Sequence, residues 1–312
     1  MTQVAEIKSP HEQRLEDNIA GKEDIYRESH KRVFKLLERF DGQKPAIDVE
    51  RALYFTQSMA ETVGQPLVLR WAKALMNVAK NITVMVQDDQ LLLGRCGGHD
   101  GRYGILYPEL DGDFLDIAVR DLPTRPQSPA SISPEDAKIV VEQIAPFWKG
   151  RTYHEALNKA LPAEVHKLTY DDPDGLISRF IVNETSSFRS SIQWVHDYEV
   201  VLKRGFNGLK QEMEEKLAAL DPASPVDKRP FIEATILVCD AIVLWAKRHA
   251  DAARKAAEAC ADPVRKAELI RMAENAEHVP ANPARDFYEA VQSQYFTQMF
   301  SRLEQKTGTT IS

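Results

Sequence analysis

The sequence predicts a mainly α-helical fold with one small β-hairpin. Three observations lead to this prediction. Apolar residues recur at helical spacing over much of the chain, one long segment is rich in alanine, and two capping boxes mark helix starts. The capping boxes pair Ser133 with Asp136 and Thr152 with Glu155. With 312 residues, of which 43% are hydrophobic, the chain is long enough to bury a sizeable core.

Composition excludes several classes of protein. The 47 acidic and 40 basic residues give a formal net charge of -7, and no basic block is interleaved with aromatic residues, so nucleic acid is not an expected partner. No segment approaches the roughly 18 apolar residues of a membrane span, and the first residues are too polar for a secretory signal. Cys96, Cys239 and Cys260 form no CxxC pair, which indicates reduced thiols. We therefore expect a cytoplasmic protein that binds neither membrane nor nucleic acid.

The first part of the chain predicts a polar arm followed by short helices. Residues 1–26 show little apolar periodicity and are interpreted as the arm, and residues 27–312 as the domain. The first helix stops at Asp41-Gly42. Asp48 is expected to cap a second helix that ends near Gly64, and Pro66 to open a third. The apolar face of the first helix comprises Val33, Phe34, Leu37 and Phe40.

The predicted β-hairpin lies at residues 82–98, in ITVMVQDDQLLLGRCGG. Two β-prone runs flank the polar pair Asp88-Asp89, an arrangement typical of two strands joined by a turn. Residues 97–133 are rich in Gly, Asp and Pro and predict a long ordered loop supported by neighbouring structure.

The C-terminal part predicts three helices. An alanine-rich helix runs from Phe231 to about Cys260, and its small side chains allow a neighbouring helix to approach closely. Further helices are expected at about 263–277 and 285–304.

Most candidate chemical sites have a structural interpretation that is better supported. The stretch RCGGHDGR at 95–102 is glycine-rich but opens no helix and lacks the Lys-Ser/Thr of a phosphate-binding loop, so a plain turn is favoured. His99 beside Cys96 offers two metal ligands without a second pair at zinc spacing, so no metal site is predicted. Cys239 lies in an apolar helical segment and is expected to be buried. His196 and Asp197 are adjacent in sequence and therefore indicate no catalytic dyad.

Arg189 and Gln193 form a different kind of candidate. They lie four residues apart on a probable helix and therefore share a face. A guanidinium fork beside an amide suits a sulfonate, carboxylate or phosphate, because the anion accepts two parallel hydrogen bonds from the arginine. The pattern alone is more typical of a solvated helix face, because such pairs are common on helices, and the anion-binding interpretation stays open as the alternative.

Several blocks, taken in order, resemble the glycyl radical enzymes of the pyruvate formate-lyase type. KPAIDVERALYFTQSM (44–59) and PLVLRWAKAL (66–75) resemble the family's opening helices, followed by the segment at 82–94 and DLPTRPQSP (121–129). The block at 187–210 is similar to a VLxxGxxGL-like pattern that contains Gly205 and Gly208. The block from Asp240 to Phe296 follows the family's order of small-residue helix, Glu-Leu helix, Val-Pro turn and Glu-Ala helix.

The resemblance implies that the chain is the N-terminal part of an α/β-barrel lyase. The family's Cys-x-Glu motif, which carries the thiyl cysteine, and its Arg-Val-x-Gly-Tyr motif, which carries the glycyl radical, do not occur in these 312 residues. We therefore expect no catalytic residue and no bound cofactor in this chain. The radical would lie in the missing C-terminal part, where a separate radical S-adenosylmethionine activating enzyme installs it. The intact protein would be a homodimer in the cytoplasm or inside a bacterial microcompartment.

Within the family, the 187–210 block most resembles the carbon–sulfur lyases that act on isethionate, a two-carbon hydroxysulfonate. In that branch Arg189 and Gln193 match the positions expected to bind the sulfonate, which favours the functional interpretation of the pair. Two alternatives stay open. The intact protein could be a choline lyase or diol dehydratase of the same family, or this chain could act alone as a non-catalytic helical binding module.

Overall fold

The computed structural model describes residues 30–41, 45–99, 102–110, 112, 115, 119–126, 129–170 and 196–304. Its elements in chain order are α1 (Lys31–Asp41), β1 (Ala46–Asp48), α2 (Glu50–Glu61), α3 (Leu67–Asn81), β2 (Tyr103–Ile105), α4 (Pro134–Ile139), a π-helical turn (Val140–Ile144), α5 (Ala145–Trp148), α6 (Tyr153–Ala160), α7 (Ala163–Tyr170), α8 (Tyr198–Ala218), α9 (Lys228–Ala259), α10 (Pro263–His278) and α11 (Phe287–Glu304).

The chain divides into two units, residues 1–43 and 44–312. In the first unit α1 ends at Asp41, as the sequence predicts. All other described elements belong to the second unit, and the mainly helical class is confirmed.

Helix α9 is central to the second unit and packs against α3, α8, α10 and α11. The close approach of these helices to α9 depends on a series of fully or almost fully buried alanines, because a methyl side chain lets two helix axes lie near one another. Trp245 fills the space beside this series, with ring centroids 5.7 Å from those of both Phe296 and Phe300. The buried alanines of α9 include Ala241, Ala246, Ala250, Ala253 and Ala257.

Local signals in the sequence set most helix starts. Ser133 accepts a hydrogen bond from the Asp136 N–H at 3.0 Å, and Thr152 and Glu155 form a complete capping box. Pro66 precedes α3, whereas Gly64 lies in the preceding turn with a φ of 90°. These predicted starts are confirmed because each depends on residues within one helical turn.

The small sheet is a correction to the predicted hairpin. Strands β1 and β2 pair in parallel, with Ala46 opposite Tyr103 and Asp48 opposite Ile105. No strand forms at residues 82–98, where the prediction placed both strands. Asp88 and Asp89 do form a turn, but the runs on either side are extended without pairing to each other.

The physical reason for this correction is that side chains satisfy the backbone of the segment. The Leu93 N–H donates to Gln292 Oε1 at 2.9 Å, and Gln292 Nε2 donates back to the Leu93 carbonyl at 2.8 Å. Arg265 donates to the carbonyls of Gln87 and Gln90. With these groups paired, the segment needs no partner strand.

The described residues between 97 and 133 lie mainly in the expected long loop, which also contains β2, short turns and helical residues at 115, 119 and 120. Leu106, Leu115 and Leu122 are buried, so the core supports this loop along its length. Among the described residues, no helix is long and apolar enough to cross a membrane.

Candidate functional site

A large apolar groove of about 790 Å³ lies between α3, α8, α9 and α11. Helical periodicity places one apolar stripe of α3 and one of α9 on facing walls. The groove is open to solvent, since Leu67 and Phe231 at its edge are largely exposed. Its apolar lining includes Leu67, Trp71, Phe206, Phe231, Val238 and Phe300.

The polar side of the groove comes from α11. Thr297, Ser301 and Glu304 follow one another at three- and four-residue spacing and therefore share the face that lines the groove. Burial raises the pKa of the Glu304 carboxyl, although the nearby positive charge of Arg51 opposes this effect. The wall therefore offers hydroxyl groups and one half-buried carboxyl beside a wide apolar surface.

Arg51 holds the end of α11 that carries Glu304. Its side chain is fully buried and forms a two-pronged ion pair with Glu109, both contacts at 2.7 Å. The same guanidinium donates to the carbonyls of Leu303 and Glu304, each at 2.9 Å. These carbonyls belong to the last two residues of α11, so Arg51 connects α2 to this end of the helix. The sequence analysis did not identify Arg51, because its partners are distant in sequence.

The start of α8 adjoins the same groove. Asp197 caps the helix by accepting a hydrogen bond from the Val200 N–H at 3.2 Å, and His196 lines the groove. Burial lowers the pKa of the His196 imidazole. Asp197 has a capping role, which agrees with the expectation that the two adjacent residues are not a catalytic dyad.

Helix α8 is interrupted at Gly205, which has φ 63° and ψ 172°. The break lets the N–H groups of Phe206 and Asn207 donate to the carbonyls of Pro280 and Ala281, both at 2.9 Å. A Cβ at position 205 would lie 2.4 Å from the Ala281 oxygen, so only glycine fits. Two of the blocks that carry the family resemblance, the glycine pattern and the Val-Pro turn, are thus in direct contact.

Gly97 and Gly98 of the glycine-rich stretch lie against the Asp48 carboxyl group. A Cβ on Gly97 would lie 2.1 Å from Asp48 Oδ2, while Asp48 Oδ1 accepts the Glu50 N–H at 2.9 Å. The N-cap of α2 is Val49 rather than the predicted Asp48, which lies one residue earlier and binds the first N–H of the helix with its side chain. Burial, together with the negative charge of Glu50, raises the pKa of Asp48 to about 7. Residues 96–98 form a bend in the backbone beside this carboxyl group.

The cysteines and His99 show no catalytic arrangement. Burial raises the pKa of Cys96 to about 12, and its thiol donates to the Met299 carbonyl at 3.3 Å. Cys239 is buried as predicted, and burial raises its pKa to about 11. His99 Nε2 lies 3.7 Å from Asp48 Oδ2. Within the ranges that the structure describes, no group of three His, Cys, Asp or Glu side chains could hold a metal ion.

The predicted substrate-binding residues Arg189 and Gln193 lie outside the described residues, in the segment 171–195. Their role therefore stays a prediction. His196, which lines the groove, is the first described residue after this segment.

The sequence matches the family described as "Pyruvate formate lyase-like" over residues 25–312. The chain belongs to this family. Solved structures of the family confirm the fold. A structure concerning 1,2-propanediol dehydration in Roseburia inulinivorans is 27% identical with a TM-score of 0.79, and covers 88% of this chain and 32% of that one. A glycyl radical enzyme from Archaeoglobus fulgidus is also 27% identical, with a TM-score of 0.72, and the match covers 88% of this chain and 34% of that one.

Two curated relatives are much more similar. The isethionate sulfite-lyase of Bilophila wadsworthia (strain 3_1_6) is 99% identical over 100% of this chain, which covers 38% of the relative. The isethionate sulfite-lyase of Desulfovibrio desulfuricans is 78% identical over 99% of this chain, which covers 37% of the relative. The chain thus spans well under half the length of these two curated relatives.

Proposed function

We propose that the full-length protein is a glycyl radical carbon–sulfur lyase that cleaves isethionate to acetaldehyde and sulfite, and that this chain is its N-terminal part. The observation that supports this proposal is the 99% identity to an isethionate sulfite-lyase over the whole chain. The reaction needs no external oxidant. The carbon–sulfur bond breaks, the hydroxyl-bearing carbon becomes the aldehyde carbon, a hydrogen ends on its neighbour, and sulfite leaves with release of one proton.

In this proposal Arg189 and Gln193 bind the sulfonate. Arg189 supplies two parallel charge-assisted hydrogen bonds, and Gln193 adds an amide donor without a second charge. Their role is to orient the substrate, which lowers the barrier by fixing the reacting carbon in place.

The radical chemistry belongs to the part of the protein outside these 312 residues. The glycyl radical of the family supplies one-electron chemistry, and a radical S-adenosylmethionine activating enzyme installs it. We further propose that the intact enzyme is a homodimer in the cytoplasm or inside a bacterial microcompartment. The thiyl cysteine and its partner glutamate are proposed to lie in the same missing part, since this sequence contains no Cys-x-Glu motif.

A second candidate function is another elimination within the family, as in diol or hydroxyproline dehydratases. The trans-4-hydroxy-L-proline dehydratase of Clostridioides difficile is 29% identical over 88% of this chain. An arginine in the substrate site disfavours a cationic substrate such as choline. The far higher identity to two isethionate sulfite-lyases makes the lyase the better-supported proposal.

The test uses the activated full-length enzyme with isethionate, a diol and choline as substrates. We expect turnover of isethionate only. Arg189→Ala should lower kcat/KM by at least about 30-fold, because losing one partner of a buried charged pair costs about 2–5 kcal/mol. The matched control is Arg120→Ala, which removes an arginine whose side chain is 71% exposed and should leave kcat/KM unchanged. Unchanged kinetics of Arg189→Ala would remove Arg189 from the site, and turnover of the diol instead would favour the dehydratase.

A further inference from the structure

A second, smaller pocket of about 380 Å³ lies between α2, α3 and the connection from α5 to α6. Hydrogen bonds hold its walls in place. Trp148 Nε1 donates to Thr56 Oγ1 at 2.8 Å, and the Tyr153 N–H donates to the Glu109 carbonyl at 2.9 Å. The pocket is therefore preformed, as small-molecule sites usually are. Its aromatic lining residues are Trp71, Phe147, Trp148 and Tyr153.

Two arginines line this pocket without an acidic partner. Arg70 Nη2 donates to the Met59 carbonyl at 2.7 Å, and Arg70 Nε is buried without a hydrogen-bond partner. Arg151 Nη1 donates to the Phe147 carbonyl, and its guanidinium carbon lies 4.8 Å from the centre of the Phe147 ring. Among the residues that the structure describes, neither arginine forms an ion pair.

The acidic side chain among the lining residues does not neutralise these arginines. Glu109 is engaged by Arg51 through both carboxylate oxygens, each at 2.7 Å. The charges of Glu109 and Arg51 cancel, so the pocket keeps the two positive charges of Arg70 and Arg151. Two guanidinium groups around one pocket repel each other, and a buried donor such as Arg70 Nε–H requires an acceptor. A bound anion meets both requirements.

The lining of the pocket also defines the class of anion. A guanidinium group binds a carboxylate or a phosphate through two parallel hydrogen bonds. Aromatic side chains pack favourably against other flat rings. The volume of about 380 Å³ falls within the roughly 300–1,000 Å³ of small-molecule sites, so there is room for a ring beside the charged group. A ring that carries an anionic group therefore fits better than a bare inorganic ion.

We propose that this pocket binds a small organic anion, a carboxylate or phosphate ester attached to an aromatic or other flat ring. Arg70 and Arg151 bind the anionic group, and the aromatic lining binds the ring. The proposal does not depend on which substrate the full-length protein cleaves.

The experiment titrates phenyl phosphate into the full-length protein, without activation so that no turnover occurs, and follows binding by isothermal titration calorimetry. Arg70→Met and Arg151→Met should each weaken binding by about tenfold or more, because each removes a charged hydrogen-bond donor. The matched control is Arg271→Met. Arg271 also lies 4.8 Å from the centre of an aromatic ring, that of Tyr288, but it does not line the pocket. This variant should bind phenyl phosphate as the parent protein does.

A comparison of ligands keeps the test decisive where an arginine variant does not fold. Phenol lacks the anionic group and inorganic phosphate lacks the ring, so the parent protein should bind each about tenfold or more weakly than phenyl phosphate. Excess isethionate should leave the binding of phenyl phosphate unchanged. The proposal is wrong if the full-length protein does not bind phenyl phosphate, if phenol or inorganic phosphate binds equally well, or if isethionate displaces the probe.

Discussion

Helix α9 has one region that the chain encloses completely and another that it leaves open. Around Trp245, His249 and Ala250 the helix is fully buried against its neighbours. Burial lowers the pKa of His249 to about 3, so its neutral ring packs edge-on against Trp245 at 4.8 Å. Towards its N-terminus the same helix turns Phe231 and Thr235 to the open groove.

This difference shows that an apolar stripe on a helix does not by itself identify its partner. Both regions of α9 carry apolar residues at helical spacing. The enclosed region is covered within this chain, because small alanines let α3 and α10 pack closely against it. The open region has aromatic and aliphatic side chains that nothing among the described residues covers. Three substitutions test the contrast.

The largest effect is expected for Arg51→Met, which removes a fully buried arginine that holds the end of α11. The substitution leaves the Glu109 carboxylate and two carbonyls of α11 buried without their donor. Loss of one partner of a buried ion pair costs about 3–5 kcal/mol of unfolding free energy. Urea denaturation of the 312-residue chain measures the loss.

The control for Arg51→Met is Arg254→Met. Arg254 also forms a two-pronged ion pair, with Glu277, but this pair lies at the surface. Its loss should cost much less than the loss of the Arg51 pair, because solvent screens an exposed ion pair. Equal losses in the two variants would mean that burial of Arg51 contributes nothing.

An intermediate effect is expected for Asp48→Asn, and it depends on pH. The pKa of Asp48 rises from 3.8 in the unfolded chain to about 7 in the folded chain, so the folded state binds more protons between these values. Stability should therefore fall as pH increases from about 4 to 7, by on the order of 3 kcal/mol. Asp48→Asn should remove this decline, as measured by urea denaturation at several pH values.

The exposed Asp251 provides the comparison for the pH experiment. Asp251→Asn removes a carboxyl group that faces Lys247 at the surface and should leave the pH profile as in the parent chain. If Asp48→Asn kept the parental slope, Asp48 would not be the group that titrates.

The smallest effect is expected on the open side. Phe231→Ala should change the stability of the 312-residue chain by less than about 0.5 kcal/mol, since the side chain is largely exposed. Phe296→Ala, at a fully buried phenylalanine, should cost about 3–5 kcal/mol. Thermal unfolding of the two variants compares the regions directly, and a large loss for Phe231→Ala would mean that the groove is closed in solution.

The sequence predicts the structural features that depend on residues close together in the chain. The capping boxes at Ser133 and Thr152 and the helix start at Pro66 are set within one turn, and the structure confirms them. The three C-terminal helices lie close to their predicted bounds for the same reason. Arg189 and Gln193 were identified from spacing and resemblance, and stay a prediction because they lie outside the described residues.

The features that the sequence analysis missed depend on residues far apart in the chain. The segment at 82–98 has the pattern of a hairpin, but Gln292 and Arg265 supply the backbone partners that a second strand would have provided. Arg51 shows no local signal, since the carbonyls to which it donates belong to α11. The groove is likewise formed by helices that meet only in the folded chain.

The contact at Gly205 has a consequence for which sequence changes the protein tolerates. Position 205 faces main-chain atoms of Ala281 and Asn282, and any side chain there would overlap with them. Positions 281 and 282 contribute atoms that every amino acid possesses. The two segments therefore constrain each other unequally. In a library of random substitutions, we expect only glycine at position 205. Positions 281 and 282 would vary as widely as the residues around their side chains allow.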